Sequence, residues 1–224
     1  MKRRRAYHEE QSAYLEMMRQ AFAGHYAAGT DVWSQDDSLL KAARIAHALW
    51  CDHNEGQRPN ALDIGCGNGR ALRAFDPQIE RYLGVDLCEH PEWAGMQAGS
   101  SGAVEFVIGD FVKWSADQAG GQFDLVLDHG CFHHQHPSDH ATCLQGVAKL
   151  LAPGGIFSLV VWAESWKEEN IGEDGRFHLP FTLEQIESMI EQAGLSLLQV
   201  EEVRAKVGTN QYHAIACKPK GGVK

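Results

Sequence analysis

The densest chemical signal in this chain of 224 residues is Leu62-Asp63-Ile64-Gly65-Cys66-Gly67-Asn68-Gly69-Arg70, an apolar strand pattern that runs into alternating glycines. Gly65, Gly67 and Gly69 let the backbone turn tightly and approach a ligand, as residues without side chains can. A dinucleotide fingerprint would need glycine where Arg70 stands, and Asp63 at the strand end would repel a pyrophosphate. The pattern therefore points to a nucleotide-like cofactor that is cationic and not phosphorylated. Asp86, with Leu87 beside it, closes the next strand about twenty residues on, where a carboxylate accepts from both ribose hydroxyls. Gly109-Asp110-Phe111 closes the third and offers an acceptor and an aromatic face to an adenine. Each acid alone reads as a turn or cap residue. In order at successive strand ends, they build the crevice of an open α/β sheet.

A second cluster is Asp128-His129-Gly130-Cys131-Phe132-His133-His134-Gln135-His136-Pro137, at the end of the fourth strand pattern. Asp128, His133 and His134 form the candidate catalytic set, because a loop imidazole with a pKa of about 6.5 takes a proton at neutral pH. Asp128 also falls at the cofactor crevice. Adjacent loop histidines cannot all converge on one ion, so no metal is expected. His136 and His140 read as a solvated helix entry, and Cys66 and Cys131 as packed thiols. None of the six cysteines forms a C-x-x-C pair, which fits a reducing compartment. A formal net charge of −10 argues against nucleic acid and for a small acceptor. No window reaches the roughly 18 apolar residues of a membrane span, and a soluble cytoplasmic protein is expected. Lys2-Arg3-Arg4-Arg5 reads as a solvated tail.

The elements that must position these residues follow from periodicity. Helical spacing runs from Ala6 to about Phe22 and from about Asp37 to Trp50, joined by a flexible stretch from Gly24 to Trp33 that suits a lid. Beyond Pro59, short apolar runs alternate with helical stretches, giving an α/β fold with a mainly parallel sheet. Pro137 to Leu151 reads as a helix, and Thr182-Leu183-Glu184-Gln185 as a capping box opening another. Leu195–Val203 and Tyr212–Lys218 are joined too closely for a helical crossover, so this last pair should be an antiparallel hairpin. We divide the chain into a helical cap or lid, residues 1–58, and a cofactor-binding part, residues 59–224, within one folding unit.

From Asn60 to Pro219 the chain resembles the class I S-adenosylmethionine-dependent methyltransferases. The resemblance rests on Leu62 to Gly69, Asp86, Gly109-Asp110, Phe123-Asp124-Leu125-Val126-Leu127-Asp128 and Leu150-Leu151-Ala152-Pro153-Gly154-Gly155. It implies a Rossmann-like, seven-stranded sheet with an antiparallel last strand. It also implies that Asp63 and the loop Gly65, Cys66, Gly67, Asn68 and Gly69 hold the methionine part of S-adenosyl-L-methionine. Asp86 with Leu87 would hold its ribose, and Asp110 with Phe111 its adenine. Asp128-x-Gly130-x-Phe132 looks like the Asp-Arg-Gly-x-Leu stretch of the thiopurine S-methyltransferase-like branch, with His129 where Arg is usual; Trp33 is similar to that branch's cofactor-covering aromatic. The expected activity is methyl transfer to a small molecule, a thiol or other soft nucleophile. The alternatives are O- or N-methylation of a small metabolite and a non-catalytic cofactor-binding partner. Glu164-Ser165-Trp166-Lys167, after strand five, is the expected edge of the acceptor pocket.

Overall fold

The strand at Asn60–Ile64 (β1) is buried at four of its five positions because both of its faces are covered, and its neighbours have the same character. The computed structural model describes residues 2–35, 37–165, 169–173, 175–204 and 208–220, with side chains from Glu10 onward. β1 pairs in parallel with β2 (Arg81–Asp86) and β4 (Phe123–His129); β2 pairs with β3 (Ala103–Ile108), and β4 with β5 (Leu151–Trp162). The two-residue strands β6 (Asn170–Ile171) and β7 (Phe177–His178) form a separate hairpin. The expected terminal hairpin is β8 (Ser196–Arg204) and β9 (Asn210–Cys217). β9 enters antiparallel between β5 and β8, giving one seven-stranded sheet in the order β3-β2-β1-β4-β5-β9-β8.

Alternation along the strands divides the core between two faces. Ala61, Tyr82, Leu125, Leu127 and Ile215 pack under α2 (Asp37–Cys51) through Ala43, Ala46 and Trp50. Leu62, Ile64, Val126, Phe157 and Leu159 pack against the other face. That face is covered by α4 (Phe111–Ala116), α5 (His140–Leu150) and α6 (Leu183–Gln192). The Thr182 capping box forms as expected: Thr182 Oγ1 accepts from Gln185 N at 3.1 Å, and Gln185 Oε1 accepts from Thr182 N at 2.8 Å.

Three expectations need correcting. The first helix, α1, runs from Lys2 to Ala28, so the basic run at 2–5 begins a helix and is not a tail. Gly24 to Ala28 are helical too, since one Gly costs about 1 kcal/mol in a helix interior and the flanking alanines favour continuation. The flexible connection therefore shrinks to the short 3₁₀ turn Val32–Gln35 and its neighbours. After the glycine turn no α-helix forms, only a 3₁₀ turn at Arg70–Ala74, because the residue before Pro77 resists the helical conformation and leaves too little chain. The remaining helix, α3 (Trp93–Gly99), follows β2. Among the described residues no helix is long and apolar enough to cross a membrane.

Gly84 of β2 lies under the glycine turn, where an added Cβ would come 2.7 Å from both Cys66 Sγ and Phe106 Cδ1. Gly84→Ala is expected to destabilise the protein by about 1–3 kcal/mol through overpacking. Urea unfolding measures this, and an unchanged midpoint would contradict the packing described.

Candidate functional site

The C-terminal ends of β1, β2 and β4 and the turn after β3 open into a cavity of about 250 Å³. Its floor includes Gly65, Asp86, Leu87, Gly109, Asp110 and Phe111, and α1 roofs it through Tyr14, Met18, Phe22 and Tyr26. Trp33, His133, His134, Trp162 and Arg176 form the remaining wall, with Thr209 and Gln211 at the start of β9. A smaller cavity of about 60 Å³ adjoins it, lined in part by Asp63, Cys66, Gly67 and Asn68, and the two share Trp33, Leu39, Gly65 and His129.

The glycine turn is shaped by the strands it joins. Gly65 N and Cys66 N both donate to Val85 O, at 2.8 and 3.3 Å. Gly65 has φ +65° and an added Cβ would lie 2.4 Å from Cys131 Cβ, so the loops after β1 and β4 touch only because this residue is glycine. Asp86 accepts from Gly67 N at 2.9 Å and Cys88 N at 3.2 Å, and Tyr26 Oη reaches it at 3.5 Å. Arg19 Nε donates to Leu87 O at 3.2 Å, and the Arg70 guanidinium donates to Ser34 O at 2.9 Å and pairs with Asp37. The residues before β1 are thus bound directly to the turn and to the end of β2. Asn68 serves the turn itself: its amide oxygen accepts from Arg70 N at 3.1 Å.

Burial dominates the electrostatics. It pushes the Asp63 and Asp128 carboxyls up to about 7 and raises Asp86 and Asp110 as well. The Tyr82 hydroxyl donates to Asp63 and partly offsets its shift. No ion-pair partner meets Asp63, Asp86 or Asp128 among the described residues. Burial and these neighbouring acids also lift the Cys66 and Cys131 thiols, which are therefore poor nucleophiles, as expected of packed cysteines. Among the described residues no three His, Cys, Asp or Glu side chains gather as a metal site.

The structure brings Trp33, Gly65, Asp86, Leu87, Asp110, Phe111, His133 and His134 to the main cavity and Asp63, Cys66, Gly67 and Asn68 to the smaller one. Two of the expected residues line neither. Gly69 is packed against the Phe106 ring, and Asp128 is 1% exposed and spends Oδ1 on Cys131 N and Phe132 N, both at 2.9 Å. Asp128 organises the loop, and its Oδ2 is buried without a partner.

The histidines are not loop imidazoles open to water. The Asp128 contacts draw Phe132–His134 into a 3₁₀ turn that buries His133 and His134 to 3% and 6% exposure. His133 stacks on Trp162 with centroids 3.9 Å apart and planes 15° apart, and burial followed by His134 holds it well below the usual imidazole range. Burial thus keeps the His133 ring neutral. His134 Nδ1 bonds Phe177 O at 2.9 Å. His136 and His140 are half-buried on aromatic rings, not solvated. Glu164 and Ser165 accept from Tyr212 and donate to Glu202 respectively, away from the cavity, and Trp166 and Lys167 lie outside the described residues. Trp162, four residues earlier, supplies the aromatic wall. That Trp162 and His129 end apolar strand runs could have marked them in the sequence, whereas nothing local marked Arg176, Thr209 or Gln211.

A methyltransferase-domain family profile matches residues 61–155. The sterol 24-C-methyltransferase ERG6B of Gibberella zeae is 28% identical over 232 residues, 88% of this chain and 58% of that protein. The ubiquinone biosynthesis O-methyltransferase of Pectobacterium atrosepticum is 30% identical over 118 residues, 50% of this chain and 48% of that protein. The chain spans about half the length of the curated relatives it matches. Among solved structures, the Burkholderia thailandensis 1,6-didemethyltoxoflavin-N1-methyltransferase with bound 1,6-didemethyltoxoflavin and S-adenosylhomocysteine superposes with a TM-score of 0.83 at 29% identity, covering 93% of this chain and 90% of that one.

The raised Asp128 pKa sets a pH dependence. A carboxyl held up to about 7 in the fold contributes stability below its ordinary range, and loses that contribution as pH rises through 7. Asp128→Asn keeps an oxygen for Cys131 N and Phe132 N and stays neutral. Relative to the parent it should be near neutral at pH 4 and more stable by about 1–3 kcal/mol at pH 8. The same difference at both pH values in urea unfolding would contradict the assignment.

Proposed function

We propose that this chain, which belongs to the class I S-adenosylmethionine-dependent methyltransferases, methylates a small planar heteroaromatic molecule at a ring nitrogen. The observation that carries this reading is the aromatic wall. His133 lies flat on Trp162, and the Arg176 guanidinium sits 4.7 Å from the Phe22 centroid and 5.8 Å from that of Trp33. Flat rings and a guanidinium plane accept a flat guest by stacking. Three buried polar atoms around this wall, His133 Nδ1, Thr209 Oγ1 and Gln211 Oε1, have no partner and suit the edge of a heterocycle. The N1-methyltransferase activity named for the Burkholderia protein supports nitrogen as the acceptor atom.

The remaining half suits S-adenosyl-L-methionine. Its sulfonium would compensate the buried acids Asp63, Asp86 and Asp128, none of which meets a cation in the described residues. In this reading Asp86 and Leu87 hold the ribose, and Asp110 with Phe111 the adenine. Asp63 and the Gly65-Cys66-Gly67-Asn68 backbone hold the methionine part, while Gly69 and Asp128 shape the loops around it. When bound, the cofactor supplies an activated methyl group to be attacked in line. The chain's own work is alignment and exclusion of water. Residues 1–58 act as the cap on the 59–224 unit, with Tyr26 and Trp33 covering the cofactor and Phe22 the acceptor. His133, held neutral, orients the acceptor edge through Nδ1, and His134 braces that ring from 4.6 Å.

Sulfur acceptors, suggested by the Asp128-x-Gly130-x-Phe132 stretch, have less support, since no described lysine or arginine other than Arg176 lines the cavity to favour a thiolate. The −10 net charge disfavours a nucleic-acid partner. Transfer of labelled methyl from S-adenosylmethionine to a panel of N–H heteroaromatics, thiols, phenols, aliphatic amines and transfer RNA tests the reading. Label on ring nitrogens is expected. Label confined to thiols would restore the sulfur acceptor, and label confined to RNA or none at all would overturn small-molecule methylation.

Trp162→Leu removes the stacking partner. The acceptor KM should rise about tenfold, the equivalent of roughly 1.4 kcal/mol, with S-adenosylhomocysteine affinity unchanged. An unchanged KM would remove Trp162 from the acceptor site.

A further inference from the structure

We infer that His129, Ser158 and His213 form a proton relay that carries the proton released by an N–H acceptor from the cavity, across the sheet, to the surface carboxylate of Glu201. The inference rests on the N–H acceptor reading above for the origin of the proton, but its geometry stands independently. His129 ends β4 and lines both cavities. Its Nε2 is 2.9 Å from Ser158 Oγ, and the same oxygen is 2.9 Å from His213 Nε2. Ser158 is fully buried and His213 is 1% exposed. His213 Nδ1 lies 3.9 Å from Glu201 Oε1, its cross-strand partner on β8, whose side chain is 53% exposed. The four residues thus sit on adjacent strands β4, β5, β9 and β8, and together lead from cavity to solvent.

The hydrogen bonds give this row a direction. Ser158 has one hydroxyl proton and an imidazole on each side, so it can donate to only one ring, and a relay requires that it accept from the other. A carboxylate on the Nδ1 side favours His213 with its proton on Nδ1, leaving Nε2 to accept from Ser158. Ser158 Oγ then accepts from His129 Nε2–H. That leaves the Nδ1 lone pair of His129, a residue that lines both cavities, as the entry point of the row. Methylation of an N–H acceptor forms one N–C bond, breaks one S–C bond with its electron pair staying on sulfur, and frees one proton. His129 Nδ1 takes that proton, Nε2–H passes to Ser158 Oγ, the serine proton to His213 Nε2, and His213 Nδ1–H to Glu201 once that exposed side chain swings from 3.9 Å into hydrogen-bond range. The reverse shift of tautomers resets the row.

The charges around it fit transit and not storage. Burial and His213 push His129 down to about 3, so a proton received there must leave. His213 is lowered by burial and by Lys41 of α2, and raised by Glu201. A sheet interior gains nothing from two imidazoles and a hydroxyl that apolar side chains could replace, and Leu125, Leu127 and Ile215 do fill the same face.

The experiment combines ¹⁵N-histidine NMR of the whole protein saturated with S-adenosylhomocysteine and turnover with an N–H heteroaromatic. His129→Gln and His213→Gln assign the signals. The relay requires neutral His129 protonated on Nε2 and His213 on Nδ1, and Ser158→Ala must shift the ring nitrogens of both. Turnover by Ser158→Ala should fall tenfold or more in kcat, with acceptor KM and S-adenosylhomocysteine affinity within twofold, and should become dependent on buffer concentration. Opposite tautomers, nitrogens of His129 and His213 indifferent to Ser158→Ala, or a Ser158→Ala enzyme with parental kcat would each overturn the relay. If the tautomers and their coupling are as described and no N–H acceptor is methylated, the acceptor class is wrong and the hydrogen-bonded row stands.

Discussion

Asp86 ends β2 with its carboxylate almost completely buried, and three parts of the chain meet on it. The glycine turn donates Gly67 N–H, the strand's own continuation donates Cys88 N–H, and α1 brings Tyr26 Oη. A buried charge is tolerated only when hydrogen bonds compensate it, so these three groups are held where Asp86 requires them. The shape of the turn, the path after β2 and the seating of the α1 roof thereby share one constraint. Trp93, whose indole N–H donates to Gly67 O at 2.7 Å, fixes the same turn from the other side.

The acids around that turn explain why the cavity has two halves. On one side the buried carboxyls of Asp63 and Asp86 line the cavities, with Asp128 buried outside both, and burial pushes Asp63 and Asp128 up to about 7. A cation entering there relieves an existing penalty. Across the cavity the walls are rings, and the cationic Arg176 already lies over Phe22 and Trp33. In the proposed function one half takes the cationic cofactor and the other a flat acceptor with a polar edge. Their junction is where Gly65 and His129 line both cavities.

Much of this architecture was legible in the residues. The strand runs, the capping box at Thr182 and the short connection before β9 predicted the sheet and its antiparallel hairpin, because each is a local preference that tertiary packing reinforces. Asp86, Asp110, Gly65 and Gly67 come to the cavities because strand ends in an open sheet face one crevice, whereas Gly69 packs on Phe106. The histidines were misjudged because burial is not local: Asp128 turns that loop inward, and no spacing rule reveals a carboxylate gripping amides three and four residues on. Arg176, Thr209 and Gln211 come from segments whose patterns carry no signal, and only the hairpin β6–β7 and the start of β9 bring them to the cavity. Ser158 interrupts an apolar strand run, and its partners lie 29 and 55 residues away.

Calorimetric titration of S-adenosylhomocysteine into the parent protein and into Asp86→Asn tests the central claim most directly, since it needs no knowledge of the acceptor. The parent should bind at one site per chain, and Asp86→Asn at least tenfold more weakly, with the fold retained by circular dichroism. Equal affinity in the two proteins would contradict the assignment of Asp86 to the ligand, and absence of binding in the parent would contradict the cofactor site itself.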